Sequence, residues 1–191
     1  MTTPNDTTTR AAMDPGALGL AAFALTTFVL SAANAGWIPS AASVLGLALF
    51  YGGLAQFVAG LWEFHNRNTF GATAFISFGA FWMAFWYLES TGGATAAGAS
   101  GVGVFLLAWG IFTLYMTVAS WKTNLSIFFV FVFLTLTFFA LAIGTLADSE
   151  GLSHLGGYLG IVTAALAWYG SFAVVTNSTF KRVVLPVFPA K

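Results

Sequence analysis

Six long apolar stretches, separated by short polar or glycine-rich breaks, account for most of the chain. They cover residues 16–38, 41–62, 70–88, 101–121, 125–146 and 155–175. Each is close to the roughly 20 residues that an α-helix needs to cross the hydrocarbon of a bilayer. A helix satisfies its own backbone hydrogen bonds in lipid, and these runs are continuous rather than alternating as in a membrane β-barrel. The pattern predicts an all-α integral membrane protein with six transmembrane helices per subunit.

The polar breaks divide the chain into three parts. Residues 1–13 are mostly polar, and because they lack the basic start and apolar core of a signal peptide, we expect them to remain as a flexible cytoplasmic tail. Asp14 followed by Pro15 is typical of a helix start, so a six-helix transmembrane domain is predicted over residues 14–180. Residues 181–191 contain Pro186 and Pro189 and are predicted to form a short cytoplasmic tail.

The few charged residues predict how the helices are oriented. With six crossings, every basic residue falls on one side of the membrane: Arg10, Arg67, Lys122, Lys181, Arg182 and Lys191. The acidic residues Glu89, Asp148 and Glu150 fall on the other side. Because cytoplasmic loops are enriched in Lys and Arg, both termini are predicted to be cytoplasmic, in a multi-pass protein of the cell membrane.

Composition narrows the classes of function. Hydrophobic residues make up 59% of the 191 residues, charged residues make up 6%, and the chain contains no Cys. A soluble domain is about 25% charged, so an ordinary soluble protein and a nucleic-acid-binding protein are both excluded. No predicted span carries an ionisable residue in its central third, and no catalytic or phosphate-binding motif is present. We therefore expect a pore or transporter for a small solute, with no metal, cofactor or enzymatic activity; the alternatives are a non-transporting scaffold or sensor and, more remotely, an intramembrane enzyme.

The first span carries a mixed apolar and polar face. Phe23, Thr27, Leu30 and Asn34 are spaced by four, three and four residues, so they share one face of a helix, and Thr26 lies beside them. Uncharged donors on such a face can bind a small polar solute without burying a fixed charge. Alternatively, the Thr hydroxyls bond to their own helix backbone and Asn34 joins two helices.

Polar residues in other spans extend the predicted substrate path. Gln56 lies near the middle of the second span, where an amide needs a partner or a watery cavity, and it offers two donors to a carboxylate. Glu63 lies near the end of that span and is interpreted as a gate, as a partner of Arg67 or His65, or as a solvated residue. The remaining path candidates are Tyr51, Thr73, Ser77 and Thr135.

Two features of the sixth span have two interpretations each. Gly156, Gly160 and Ala164 recur at intervals of four residues, which indicates either a thin wall of a central path or ordinary close packing of helices. His154 lies at the start of the same span and is either a pH sensor at a mouth or a plain loop residue.

Several motifs, in order along the chain, resemble the acetate uptake transporter family of the succinate–acetate permease (SatP/YaaH) type. Residues 14–20, DPGALGL, correspond to that family's first-span signature NPAPLGL. Further matches are FYGGLAQFVAG at residues 50–60, NTFGATAF at 68–75, WGIFTL at 109–114, AIG at 142–144 and VLP at 184–186. One such piece would be weak, but the ordered series covers nearly the whole chain and is specific.

This resemblance implies six helices per subunit, a homo-hexameric ring and a substrate path inside each subunit. It implies uptake of acetate and, in some members, succinate or other short carboxylates, by anion passage or proton-coupled symport. It also implies a hydrophobic constriction, which we place at Phe23, Phe78 and Leu134, with Ala167 nearby tuning substrate size. The expected partners are small carboxylates and membrane lipid, and no nucleic acid is expected.

Three positions depart from the family pattern. Asp14 replaces the family's leading Asn, which preserves a helix cap but puts negative charge near a mouth that admits anions. Ala17 replaces the second Pro of the signature. Phe78 stands where the family often has Tyr, so the constriction lacks a hydroxyl. We expect substrate preference and rate to depend on Asp14 and Phe78.

Overall fold

The computed structural model describes residues 13–189, which form six long helices joined by short turns. The helices are α1 (Gly16–Asn34), α2 (Ala41–His65), α3 (Thr69–Ser90), α4 (Gly93–Ser120), α5 (Leu125–Leu146) and α6 (Glu150–Phe180). All six are long and apolar enough to cross a membrane. The predicted all-α transmembrane fold is therefore confirmed, whereas the cytoplasmic location of the termini stays a prediction.

Several helix ends differ from the predicted spans. The first helix ends at Asn34 rather than at residue 38, because Gly36 turns the chain with a φ of 77°. Helix α4 is counted from Gly93, but its backbone departs from helical geometry at Gly98, so its uninterrupted part begins close to the predicted residue 101. Helix α6 extends beyond the predicted 155–175 at both ends. Polar and small residues at these ends are compatible with helix, and hydropathy alone places a boundary only approximately.

The second helix is irregular around its glycines. Residues Phe50–Ala55 form a π-helical segment that ends directly before Gln56. A Cβ added to Gly52 would lie 2.6 Å from the Thr26 hydroxyl oxygen, and one added to Gly53 would lie 2.8 Å from Cγ of Met83. The absence of side chains at these two positions therefore lets α2 pack closely against both α1 and α3. π-Helical segments that interrupt α-helices are frequent at functional sites.

The six helices close into a ring. Each helix packs against its two neighbours in chain order, and α6 returns to pack along α1. The small residues of α6 form this closing contact, since Gly157 lies against the backbone of Asn34 and Ala35, and Gly160 against the Ser31 hydroxyl. The small residues of the sixth span thus serve close helix packing, which is the second of the two interpretations given above.

Aromatic side chains fill the middle of the ring. The ring of Phe78 lies 5.7 Å from that of Phe23, 5.5 Å from Phe112 and 6.0 Å from Phe131. One helical turn further along α3, Phe81 contacts Trp109 and Phe138 at 5.2 and 5.3 Å. Tilted and edge-on aromatic pairs at these separations are favourable, so the centre of the helix ring is closed by a well-packed cluster.

The chain after α6 folds back onto the helix ends. We call residues 181–189 the C-terminal strap. The side-chain oxygen of Asn177 accepts hydrogen bonds from the N–H groups of Val184 and Leu185 at 2.7 and 2.9 Å, and its NH₂ group donates to the Leu185 carbonyl at 2.8 Å. The N–H of Leu125, at the start of α5, donates to the Phe188 carbonyl at 3.0 Å. The predicted C-terminal tail is therefore attached to α5 and α6 over its described part.

The predicted N-terminal tail lies outside the described residues except for Met13. The carbonyl oxygen of Met13 accepts a hydrogen bond of 3.1 Å from the side chain of Asn66, in the turn between α2 and α3. This contact brings the start of α1 next to the end of α2, where the candidate site described below begins.

Candidate functional site

Two cavities enter the helix ring from opposite ends. Cavity 1, of about 190 Å³, lies where α1, α3 and α5 begin, and cavity 2, of about 250 Å³, lies where α2, α4 and α6 begin. The polar residues that line cavity 1 are Asp14, Gln56, Glu63, Asn68, Thr123 and Asn124. The polar residues that line cavity 2 include Thr27, Ser31, Asn34, Glu89, Thr137, Thr145 and Ser153. Each end of the ring thus offers a pocket with a few polar groups in an otherwise apolar wall.

The cavities are separated by apolar side chains. Phe23 and Leu134 line both cavities, and Phe78 lines cavity 1 beside Phe23. All three residues are buried and belong to one packed cluster. The structure therefore brings the three residues of the predicted constriction together at the point where the cavities meet. A barrier of this kind excludes water unless a solute of the right size enters it.

Gln56 is the most buried polar side chain of the second helix. Its side chain is 1% exposed, it lines cavity 1, and its Oε1 atom has no hydrogen-bond partner among the described residues. An unpaired buried amide costs about 1–3 kcal/mol, so a fold retains it most readily where a ligand or water supplies the missing bond. The π-helical segment ends directly before this residue, which is the first residue of the regular α-helix that follows.

Two of the predicted residues on α1 line cavity 2. Thr27 is buried, and its hydroxyl has no hydrogen-bond partner among the described residues. Asn34 lies nearer the mouth, at the C-terminal end of the same helix. The mixed face of the first span therefore reaches from the aromatic barrier towards one end of the ring.

Several residues that line cavity 2 are not among the predicted residues of the substrate path. Trp82 is buried and lines the cavity, and its indole Nε1 is left without a partner among the described residues. Ser31, Thr137, Thr145 and Ser153 were also missed. A Trp in the middle of a span, away from the interfacial positions where Trp is common, is the signal that could have indicated a buried donor.

Seven predicted residues line neither cavity: Thr26, Tyr51, Thr73, Ser77, Thr135, Ala167 and His154. Thr26 donates its hydroxyl to the carbonyl of Ala22 at 2.8 Å, as expected for a Thr that bonds to its own helix. The hydroxyl oxygen of Thr135 lies 2.8 Å from that of Thr117, so it joins α4 to α5. For these two residues, the proposed place on the path is corrected because their polar groups are used within the helix bundle.

Four more of these residues lie outside the two linings because of their orientation or burial. Thr73 and Ser77 lie one position away from Ala74 and Phe78, which line cavity 1, and so they point to another face of α3. Ala167 is fully buried in the cluster that contains Phe23 and Leu134, so it lies near the constriction without lining a cavity, and its effect on substrate size stays a prediction. Tyr51 lies in the π-helical segment. In that segment Gly52 and Gly53 make the close contacts with α1 and α3, and Tyr51 lines neither cavity.

His154 lies at the surface near cavity 2 rather than in its lining. Its Nε2 atom is 3.7 Å from Oε1 of Glu150, one turn earlier on α6. A Cβ added to Gly36 would lie 3.1 Å from the same nitrogen, which explains why the turn after α1 needs a glycine. His154 is therefore packed beside the α1–α2 turn, next to Ser153 in the cavity wall.

Two carboxyl groups approach each other at the mouth of cavity 1. Asp14 accepts a hydrogen bond of 2.8 Å from the N–H of Gly16 and thereby caps α1, as predicted. Glu63 is 4% exposed, so it is neither solvated nor, among residues 13–189, paired with Arg67 or His65. Its Oε2 atom accepts instead from Nδ2 of Asn68 at 3.1 Å. A Cβ on Gly16 would lie 2.8 Å from Oδ1 of Asp14 and 3.8 Å from Oε1 of Glu63.

Helix N-termini surround cavity 1. The starts of α1, α3 and α5 contribute Gly16, Gly71 and Asn124 to its lining. The side-chain oxygens of Asn68 and Asn124 cap α3 and α5 by accepting from Gly71 and Ile127 at 3.0 and 2.9 Å. Each helix start carries about half a positive charge from the aligned peptide dipoles, so this end of the ring is electrostatically suited to small anions.

Comparison with known proteins gives one consistent family. The family model described as the GPR1/FUN34/yaaH family matches residues 2–191. The chain is 42% identical over 188 residues to "Accumulation of dyads protein 2" of Saccharomyces cerevisiae, covering 92% of this chain and 66% of the yeast protein. It is 40% identical over 177 residues to "Succinate-acetate/proton symporter SatP" of Escherichia coli, covering 91% of this chain and 94% of that protein.

A solved structure shares the fold. The structure described as the bacterial acetate channel SatP superposes with a TM-score of 0.86 and 40% sequence identity. The superposition covers 91% of this chain and 98% of the other. The six-helix ring is therefore the arrangement of a known group of membrane proteins.

Proposed function

The chain belongs to the GPR1/FUN34/yaaH family, and we propose that it carries acetate and related short-chain carboxylates, including succinate, across the cell membrane. Relatives named as a succinate–acetate/proton symporter and as an acetate channel support this substrate class. The observation that carries the proposal is the pair of cavities that enter from opposite ends and share Phe23 and Leu134 in their walls. A protein that is only a scaffold has no need of two pockets that meet at a shared barrier.

In the proposed mechanism, helix starts and neutral donors replace the water around a carboxylate. A carboxyl group ionises near pKa 4.3, so acetate is mostly an anion at neutral pH. The starts of α1, α3 and α5 attract the anion, and Gln56 supplies an amide on one side of the barrier. On the other side, Thr27, Trp82 and Asn34 supply further donors. The apolar barrier at Phe23, Phe78 and Leu134 admits a small solute and holds back the bulk solvent.

We further propose that the protein works as a homo-hexamer with one such path in every subunit and that it catalyses no reaction. Helix α4 is the least enclosed of the six, and its exposed side chains include Val104, Ile111, Tyr115 and Val118. Such a face is covered either by lipid or by a second subunit. The mass of the detergent-solubilised particle tests the hexamer directly.

The function is tested by the flux of labelled acetate into proteoliposomes, with and without an imposed pH gradient. Replacing Leu134 with Trp fills the point where the cavities meet and is expected to lower flux at least about tenfold. Leu136→Trp is the matched control, because Leu136 lies on the same helix and is 47% exposed at the outer surface. This control is expected to conduct as the unaltered protein does.

The outcomes separate the parts of the proposal. Flux no greater than that of protein-free vesicles overturns the transport function and favours a scaffold or sensor. Equal flux in the Leu134→Trp variant and its control overturns the path between the two cavities. Flux that follows membrane voltage alone indicates anion passage, whereas flux that follows the pH gradient at fixed voltage indicates proton-coupled symport.

A further inference from the structure

Glu63 is a buried carboxyl group that the transport path itself does not require. It lies in the last turn of α2, lines cavity 1, and is 4% exposed. One side-chain hydrogen bond, from Asn68, is made to it within residues 13–189. Burying a carboxyl group costs free energy unless its surroundings compensate for the lost water, so its position at this mouth requires a reason.

The carboxyl group lies directly on the start of α3. A Cβ added to Gly71 would be 2.8 Å from Oε1 of Glu63, which means that only glycine leaves room for the carboxyl group here. Asn68 accepts from the N–H of Gly71 and donates to Glu63, so the same amide caps the helix and holds the carboxyl group. The N-terminus of α3 carries partial positive charge and would attract a carboxylate from solution. An ionised Glu63 occupies this position and competes with that carboxylate.

Within residues 13–189, Asp14 is the one other carboxyl group that faces Glu63, and the remaining neighbours in the cavity are uncharged. Asp14 approaches it from the start of α1, since both carboxyl groups lie against Gly16. The turn before α3 presents Asn68, and the start of α5 presents Thr123 and Asn124 to the same cavity. His65 lies on α2 itself, is exposed, and packs against Trp62 with ring centres 5.6 Å apart. Within residues 13–189, the two carboxyl groups that meet at this mouth are therefore Glu63 and Asp14.

Gln56 provides an independent indication that a polar ligand enters this cavity. It precedes Glu63 by seven residues, so it lies on the same face of α2 and about 10 Å deeper along the helix axis. It lines the same cavity, and its buried Oε1 atom has no partner among the described residues. The unpaired amide beyond Glu63 indicates that the cavity continues as a binding route behind the carboxyl group.

We propose that Glu63 is a tethered gate of cavity 1. When Glu63 is ionised, its carboxylate occupies the start of α3 and repels an arriving carboxylate. When Glu63 is protonated, it no longer repels the anion, which can then reach Gln56. This gate rests on the proposed function, because it acts on the same carboxylate traffic. It makes anion flux greater at acidic pH, and it makes Glu63 responsible for that dependence.

The test is the voltage-driven acetate current through the full-length protein in planar bilayers, measured between about pH 8 and pH 5 at a fixed concentration of the acetate anion, so that the supply of anion does not change with pH. The unaltered protein is expected to conduct more as the pH falls. Glu63→Gln keeps the shape and can still accept from Asn68, and its current near pH 8 is expected to be about tenfold higher and nearly independent of pH, since a neighbouring charge commonly changes ionic equilibria by that factor or more.

Glu150→Gln is the matched control, because Glu150 is an exposed carboxylate at the opposite end that lines neither cavity. This variant is expected to keep the pH dependence of the unaltered protein. An unchanged pH dependence in Glu63→Gln, or a current below that of the unaltered protein, overturns the gate.

Two further measurements keep the gate testable if Glu63→Gln does not assemble. A current in the unaltered protein that fails to rise on acidification overturns the gate without any variant. Glu63→Asp has a shorter side chain, so its carboxylate lies further from Gly71. This variant is expected to raise the current near pH 8, and an unchanged current would also overturn the gate. Absence of acetate current in the unaltered protein at every pH is instead a failure of the proposed function.

Discussion

At the scale of single residues, hydrogen bonding separates two kinds of polar side chain in the spans. Thr26, Thr113 and Thr163 donate their hydroxyls to carbonyls one turn earlier, so their polarity is satisfied inside their own helices. Thr27 and Gln56 instead keep a buried polar atom without a partner among the described residues, and both line a cavity. Because an unsatisfied buried polar atom is costly, the second kind indicates where a polar solute binds.

Gln56→Leu is the prediction that follows for cavity 1. Leu matches the volume of Gln roughly but provides no donor, so the anion loses one charge-assisted hydrogen bond of about 1.5–3 kcal/mol. Since 1.4 kcal/mol corresponds to a factor of ten, acetate flux in proteoliposomes is expected to fall by at least about tenfold. The particle size on gel filtration is expected to stay unchanged, and full flux in this variant would remove Gln56 from the path.

At the scale of helices and turns, glycines and the C-terminal strap set how the ring closes. Gly157 and Gly160 let α6 approach α1, while Gly52 and Gly53 do the same for α2. The strap then ties the end of α6 to the start of α5, because Asn177 binds residues 184 and 185 and the Phe188 carbonyl accepts from Leu125. The start of α5 lines cavity 1, so the strap supports one wall of the candidate site.

Asn177→Ala is expected to release the strap. It removes three hydrogen bonds, each worth about 0.5–1.5 kcal/mol, and leaves two strap N–H groups and one carbonyl to find other partners. Amide hydrogen exchange over residues 183–189 should become faster than in the unaltered protein. Thr179→Ala is the control, because within residues 13–189 the Thr179 hydroxyl bonds to the Val175 carbonyl of its own helix and not to the strap. Equal exchange in both variants would show that Asn177 does not hold the strap.

At the scale of the whole molecule, charge is distributed unequally between the two ends of the ring. Arg67 and Lys122 lie in the turns beside the starts of α3 and α5, and Lys181 and Arg182 follow the end of α6. Glu89 and Glu150 lie at the other end, around cavity 2. The positive-inside tendency then predicts that cavity 1 opens to the cytoplasm and cavity 2 to the outside.

The absence of Cys from the chain allows a direct test of this orientation. Glu150→Cys is expected to react with a membrane-impermeant maleimide added to intact cells. Lys122→Cys is expected to react only after the membrane has been permeabilised. The reverse pattern would invert the predicted topology, and with it the side from which Glu63 meets an incoming anion.

The number of helices, their approximate ends and the end at which the basic residues collect could all be predicted from the amino-acid sequence. These properties depend on runs of neighbouring residues, because lipid selects for about 20 apolar residues in series and turns collect the polar ones. The ordered motifs also identified the family and brought Phe23, Phe78 and Leu134 together as the expected barrier.

Which polar side chains face the cavities depends on how the helices pack, and the sequence did not show it. Thr26 and Thr27 are adjacent and equally polar, yet one packs against Gly52 and the other lines cavity 2. Spans that are apolar on every side carry little periodic information about their rotation, so the facing of a residue is set by contacts with distant glycines. The burial of Glu63 against Gly71 and the attachment of the strap to α5 likewise arise from contacts between different elements, which no local pattern of residues specifies.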